Sequence, residues 1–238
     1  MANDEPEIYR RGMVVVAHAD DAEWGCSGTV AKWCREGMDV VYVICTDGSK
    51  GSSDPNITSQ QLVDIRHKEQ EAAARVLGVK QVVFLDYEDS MLQPSLDLRR
   101  DIAREIRRFR PDVIICSAPQ RNLNQKGYVG HPDHLASGEA TLSAVFPTAR
   151  DRLTFPELLE AGLEPHNVRE VLIADSENAN KWIDVSEVIE IAIKALRQHV
   201  SQIGDADVGL SMRKSRARAG DPNGIPYAEA FRSFLFRG

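Results

Sequence analysis

The 238-residue chain has no apolar run near the ~20 residues that a membrane-spanning helix needs. Its first twelve residues, MANDEPEIYRRG, are charged and lack the apolar stretch of a secretory leader. Positive charge is scarce: 29 basic against 36 acidic residues leave a formal net charge of −7. That excludes a nucleic-acid binder relying on bulk positive charge. The four cysteines form no CxxC pair, so they read as reduced, buried thiols and not as a zinc knuckle or a nucleophile. No G-x-G-x-x-G fingerprint supports a nucleotide-binding oxidoreductase, and no G-x-S-x-G elbow supports a serine nucleophile. Gly25-x-x-Gly28 gives only a weak hint of a phosphate loop. Repeats, linkers and low-complexity segments are absent. What remains is a chain 42% apolar and 27% charged, the balance of a soluble globular protein with a sizeable core. A cytoplasmic protein built as a single domain over residues 1–238 is the expectation.

Runs of β-branched residues alternate with helical patterns. Residues 13–17 (MVVVA) read as a buried strand, followed by a helix over about 25–36 and a strand over 40–45. Ser59–Leu77 is the clearest helix, with Leu62, Ile65, Ala73 and Leu77 broadly on one side and Gly78 as its stop. A short strand at 82–85, a helix over Leu96–Phe109, a break at Pro111 and a strand over Val113–Ser117 continue the alternation. Strand alternating with helix, without a hairpin signal, predicts parallel βαβ units covered on both faces. The expected fold is therefore α/β, a mainly parallel sheet in a Rossmann-like three-layer sandwich. Beyond Ser117 the pattern loosens into a loop at 118–130, a helix at 134–145 and strands at 168–174 and 182–185. Ser186 reads as the cap of a helix running to about Gln202, with Ile189, Ile193 and Leu196 inward. After Gly204 the sequence turns basic and contains Gly and Pro, as in an irregular C-terminal portion closing over the active-site edge.

The chemistry-bearing residues fall in two clusters. Ala17-His18-Ala19-Asp20-Asp21-Ala22-Glu23 follows the first strand directly, and His131-Pro132-Asp133-His134 follows the fourth. A doubly wound sheet of order 3-2-1-4 sets strands 1 and 4 side by side at the switch point, where open α/β sheets bind ligands. The two clusters then face each other. Two imidazoles and a carboxylate suit a catalytic zinc site whose fourth position is open to water. A second carboxylate nearby could accept that water's proton. The bland alternative is that Asp20 and Asp21 cap the following helix and the histidines are ordinary loop residues.

AHADDAEWGCSGT closely resembles the AHPDDxE-type signature of the LmbE-like (PIG-L) deacetylase family, and HPDH is similar to that family's second motif. The family comprises zinc-dependent enzymes that remove N-acetyl groups, mostly from N-acetylglucosamine units. It includes de-N-acetylases of mycothiol, bacillithiol and glycosylphosphatidylinositol synthesis and archaeal diacetylchitobiose deacetylase. The resemblance runs through most of the chain; Arg66 with Glu69, Leu77-Gly78-Val79 and the segment 182–202 match more loosely. It implies that His18, Asp21 and His134 hold the zinc and that Asp20 is the general base toward the metal-bound water. It implies that His131 stabilises the oxyanion or serves as acid, with Asp133 supporting His131 or His134. Arg66 and Tyr128 are the implied substrate contacts. The usual proline between the first histidine and the paired aspartates is Ala19 here. Alanine keeps the ligand atoms but loosens a turn that proline would hold at a φ of about −65°. The same donors accept iron(II) as well as zinc.

The implied function is zinc-dependent removal of an N-acetyl group from an N-acetylglucosamine-type sugar or glycoconjugate by attack of a metal-bound water. The implied enzyme is a homo-oligomer, hexamer or trimer, with a small-molecule substrate and no nucleic-acid or membrane partner. An amidase on a thiol-conjugate or antibiotic-like amide would keep the zinc site and change the pocket. A non-catalytic metal- or sugar-binding protein on the same fold is the other alternative. Asp20 argues against it, since a passive site has no need of a second aspartate.

Several residues carry competing readings. Arg66 either meets the substrate or pairs with Glu69 on the helix surface. Asp47-Gly48-Ser49 is a turn at the same sheet edge or part of the pocket lining. His67 and His199 read as surface or cap histidines, and Trp24 as a core anchor more than a sugar-stacking ring. The run 213–218, with four positive charges, reads as a solvated face.

Overall fold

A computed structural model of the chain describes residues 9–123, 127–204 and 206–236. Most of the charged opening segment, and residues 124–126 of the expected 118–130 loop, lie outside the described residues. The alternation forms as expected through β1 (Arg11–Val16), α1 (Asp21–Arg35), β2 (Asp39–Thr46), α2 (Ser59–Leu77), β3 (Gln81–Tyr87), α3 (Leu96–Phe109) and β4 (Val113–Ser117). There follow α4 (Pro132–Ser143), α5 (Pro156–Glu160), β5 (Glu170–Ala174) and β6 (Lys181–Asp184). The chain then forms α6 (Ile189–Leu196), α7 (Val200–Ile203), α8 (Val208–Gly220) and β7 (Ala228–Leu235). Strand order is β3-β2-β1-β4-β5-β7-β6. The first five strands are parallel, and β7 runs antiparallel to both β5 and β6. The expected adjacency of β1 and β4, the switch point, is present.

Burial on both faces explains the apolar strand sequences. Along β1, Met13 and Val15 enter a core shared with α3 and α4, whereas Val14 and Val16 enter one shared with α1, α2 and α6. A period of two with both faces covered gives the continuous MVVV run. α2 carries its signals locally. Thr58 and Gln61 exchange hydrogen bonds at 3.2 and 2.8 Å in a capping box, and Gly78 ends the helix at a φ of 85°. All four cysteines are free, three of them buried. Among the described residues no helix is long and apolar enough to cross a membrane.

The C-terminal portion departs from expectation. Residues after Gly204 form α8 and β7, a helix and an interior strand. Ser186 caps no long helix. It opens a single 3-10 turn, its hydroxyl donates to Asp184 at 2.6 Å, and the expected helix breaks after Leu196. The basic run belongs to α8 and is not wholly solvated. Arg216 is buried, with Nε donating to Glu229 at 3.0 Å and Nη2 to the Trp24 carbonyl at 2.6 Å, while Arg213 bonds Glu190. Glu229 also answers the phosphate-loop hint, since it accepts the N–H groups of Gly28 at 3.0 Å and Thr29 at 2.7 Å.

One glycine sets the position of α4. A Cβ on Gly138 would stand 2.5 Å from the Ser117 carbonyl oxygen at the end of β4. Gly138→Ala is expected to destabilise by about 1–3 kcal/mol and to lower Tm by roughly 2–4 °C per kcal/mol. Thermal unfolding checks this, and an unchanged Tm would mean that α4 does not pack there.

Candidate active site

After β1 the chain turns through Ala17, His18, Ala19 and Asp20 into α1. Both alanines are buried, so His18 and Asp20 alternate outward from an apolar wall. Asp20 takes a left-handed conformation, φ 83° and ψ −24°, which non-glycine residues adopt sparingly. It occupies the N-cap position of α1, yet its side chain makes no capping hydrogen bond. The helix thus starts four residues before the expected 25, at Asp21, whose Oδ2 accepts the His18 N–H at 2.9 Å. Beside β1, past the end of β4, His131 caps α4: its Nδ1 accepts the Asp133 N–H at 3.2 Å. Pro132 is the first helical residue, where its missing N–H costs nothing, and His134 follows in the same turn.

Across the switch point three donor groups converge, two imidazoles and a carboxylate. His134 Nε2 lies 3.0 Å from Asp21 Oδ1 and 3.2 Å from His18 Nδ1, and His18 Nδ1 lies 3.5 Å from Asp21 Oδ2. Nitrogen and oxygen donors around a tetrahedral zinc stand about 3.3 Å apart. The three groups therefore fit one face of such a site, the carboxylate meeting His134 through Oδ1 and His18 through Oδ2. His131 stands beside them, its ring edge-on to His18 with centroids 4.7 Å apart. The Tyr128 hydroxyl accepts the His131 N–H at 3.0 Å and lies 3.3 Å from His134 Nδ1.

A second ring of groups fixes the first. His18 Nε2 is 3.1 Å from Asp133 Oδ2 and 3.2 Å from Asp89 Oδ1. Carboxylates on that side hold a proton on Nε2, so Nδ1 is the nitrogen that would give up its proton to a cation. Asp133, fully buried, also accepts N–H groups from Ser90 at 2.7 Å and Leu92 at 3.3 Å. Those loop donors turn its carboxylate to His18, which takes the hydrogen bond, while Oδ1 stays 4.0 Å from His131 Nδ1, where its charge opposes the lowering of that ring's pKa, so the expected support of His131 is electrostatic. Arg66 is 6% exposed and donates Nη1 to Asp89 at 3.3 Å. It does not pair with Glu69, whose carboxylate takes the N–H and hydroxyl of Ser201. Asp89 escaped the sequence reading; its place just beyond the carboxyl end of a parallel strand was the available signal.

The electrostatics are those of a cation site. Burial opposes charge on His18, but hydrogen bonds with Asp133, Asp21 and Asp89 outweigh it and push the ring's pKa up to about 12. Burial likewise opposes charge on Asp21, and the hydrogen bond and charge of His134 outweigh it, holding the carboxyl well below the ordinary carboxylate range. Burial, reinforced by the charge of Asp21, raises Asp20 to about 7. Burial and then the positive His18 lower His131, which keeps that ring neutral. With Nδ1 accepting from a backbone N–H, neutral His131 must carry its proton on Nε2. A charged ring held among carboxylates shows that the cluster favours positive charge, which a cation on the same donors could supply.

Other expectations sort plainly. Trp24 is 39% exposed and so is not a core anchor. His199 is fully buried and not a surface residue, with Nε2 3.0 Å from Glu23. His67 is half-buried against Phe84, ring centroids 3.8 Å apart. Asp47 Oδ1 accepts from Ser49 at 2.9 Å and Asp89 at 3.1 Å, so it ties two loops at the sheet edge.

A doubly wound sheet that gathers two imidazoles and paired aspartates at its switch point defines an α/β protein with a metal-ready site. The family model described as PIG-L, GlcNAc-PI de-N-acetylase, matches residues 13–145, and the chain belongs to that family. It is 31% identical over 233 residues to diacetylchitobiose deacetylase of Thermococcus kodakarensis, covering 97% of this chain and 85% of that protein. It is 28% identical over 204 residues to probable N-acetyl-alpha-D-glucosaminyl L-malate deacetylase 2 of Bacillus anthracis, covering 81% of each. A solved N,N'-diacetylchitobiose deacetylase from Pyrococcus horikoshii, complexed with an inhibitor, matches with a TM-score of 0.88 at 29% identity. That match covers 95% of this chain and 84% of the other.

Proposed function

We propose that the chain, working as a single LmbE-like domain, is a zinc-dependent N-deacetylase acting on an N-acetylglucosamine-type sugar or glycoconjugate. The observation that carries this reading is the convergence of His18 Nδ1, Asp21 and His134 Nε2 beside an aspartate, Asp20, that caps nothing. A bound cation supplies Lewis acidity at the acetyl carbonyl and lowers the pKa of a coordinated water towards ~7. His18, Asp21 and His134 would hold it, with iron(II) compatible with the same donors.

Asp20 takes the proton of the attacking water, its carboxylate being free of any capping hydrogen bond to α1. As the water oxygen bonds to the carbonyl carbon, His131 donates its Nε2–H to the developing oxyanion. With His134 Nε2 given to a cation, its Nδ1–H would face the Tyr128 hydroxyl, leaving that hydroxyl's own proton to join His131 as a donor. The C–N bond breaks, Asp20 returns its proton to the departing amine, and acetate remains. Arg66 holds Asp89 and, lying against Gly48, offers its remaining N–H groups to a polar substituent of the sugar.

Incubating zinc-loaded protein with N,N'-diacetylchitobiose and simpler N-acetylglucosaminides tests this reading, with acetate and free amine expected in equal amounts. Metal-loaded protein that releases neither from any of them would point to the binding protein. Release from a thiol-conjugate amide alone would point to the amidase. The proposal extends to a homo-oligomer in the cytoplasm. An apolar groove of about 370 Å³ involving Val145, Phe146, Phe234 and Phe236 supports assembly, and sedimentation velocity tests it.

Asp20 also sets a pH dependence. A base with a raised pKa holds its proton below that pH, so kcat/KM should fall as the medium is acidified. The site's pKa of about 7 belongs to the metal-free protein, and a cation beside Asp21 draws it lower. The acid limb of kcat/KM is therefore expected below pH 7, and a profile flat down to about pH 4 would remove Asp20 from this role.

A further inference from the structure

Beneath Asp20 lies a polar cluster that the reaction above does not use. Glu23, Gln70 and His199 are each fully buried, and they come from α1, α2 and the break between α6 and α7. Gln70 Nε2 donates to both Glu23 oxygens at 3.2 Å, and Glu23 Oε2 lies 3.0 Å from His199 Nε2. Gln70 Oε1 accepts the Asp20 N–H at 3.2 Å. A carboxylate only accepts and a backbone N–H only donates, so an amide bridging them has one workable orientation. A buried carboxylate stripped of donors is costly, which makes the cluster stand or fall as a unit.

His199 reaches this place through a broken helix. α6 stops at Leu196, His199 takes φ −85° and ψ 58°, and α7 resumes at Val200. The break is pinned to α2, because the Ser201 N–H and hydroxyl donate to Glu69 at 2.8 and 2.6 Å, one residue from Gln70. A continuous helix over the segment, as the sequence pattern suggests, would satisfy more backbone groups. The interruption is what delivers an imidazole to Glu23.

We infer that Gln70 and His199 are positioning residues for Asp20, holding its main chain in the left-handed conformation through Glu23 and so aiming its carboxylate. A strained backbone persists where surrounding groups over-determine it, and the Gln70 bond to the Asp20 N–H is such a group. The inference rests on the reading of Asp20 as the base.

The test compares zinc-loaded wild type with Gln70→Leu, His199→Leu, His199→Gln and His199→Asn, measuring kcat, KM, zinc content and Tm. Both leucine variants should keep their zinc and a KM within about twofold while kcat falls about 10- to 100-fold, as small misplacements of a reacting group do. His199→Gln, whose amide nitrogen sits where Nε2 was, should recover most of kcat; His199→Asn, which falls short of Glu23, should not. Lower Tm with wild-type kcat per zinc-loaded chain would show a merely structural cluster and overturn the inference. A crystal structure of Gln70→Leu with the φ of Asp20 unchanged would overturn it as well. Should the leucine variants fail to fold, equal kcat in the glutamine and asparagine variants is the overturning result. Full turnover by Asp20→Asn, or none by wild type, would instead defeat the proposed function, and the inference with it.

Discussion

Asp21→Ala is expected to leave the protein nearly free of metal, against about one equivalent per chain in wild type purified without chelator. The carboxylate does two things at once. It is one of the three converging donor groups, with Oδ1 3.0 Å from His134 Nε2, and its Oδ2 fixes the His18 main chain through the N–H at 2.9 Å. Removing it takes away a donor, the negative charge that balances a cation, and part of the order of a second donor. Zinc that binds only the folded state at 100 times its Kd adds about 2.7 kcal/mol of stability. Wild-type Tm should therefore rise with added zinc, and Tm of the variant should not. Wild-type metal content in the variant would mean that His18, Asp21 and His134 do not enclose an ion, leaving the hydrolase reading to family membership alone.

Asp20→Asn should do the opposite, retaining metal while losing turnover by about 10²- to 10⁴-fold, the usual contribution of a general base. Asparagine matches the shape of aspartate and tolerates the left-handed conformation, so the loss cannot be blamed on the turn. Each tenfold corresponds to about 1.4 kcal/mol of transition-state stabilisation. A non-catalytic sugar or metal binder would show unchanged ligand affinity and nothing else to lose. Metal content and acetate release, measured on both variants, therefore separate the donor from the base.

Much of this site could be read from sequence because its parts sit where strands end. MVVVA and VIICS are buried on both faces, so their ends announce themselves, and the residues that follow each belong to the switch point. α2 was equally plain because Thr58, Gln61 and Gly78 mark its limits by local hydrogen bonding. What stayed hidden has a shared physical cause, charge placed inside. Arg216 and Glu229 are buried partners, and each interrupts the apolar period by which α8 and β7 would have been recognised. Glu23 and His199 lie 176 residues apart and satisfy each other only after folding. Asp89 is one of several acidic residues near the end of β3, and nothing local distinguishes it until His18 and Arg66 arrive. Side chains that look solvent-bound one at a time become interior ones in pairs, and pairing across such separations leaves no local pattern.

The place of β7 bears on the order in which the molecule can be made. It follows β5 and β6 in the chain yet lies between them in the sheet. On the ribosome both strands emerge facing a gap, and their open edges invite association with other chains until residues 228–235 arrive. The same segment brings Glu229, whose carboxylate clasps Gly28 and Thr29 of the helix that begins with Asp21. A nascent chain therefore carries both sequence motifs while the helix bearing the first still lacks its clasp, which comes with a strand translated almost a hundred residues after the second motif.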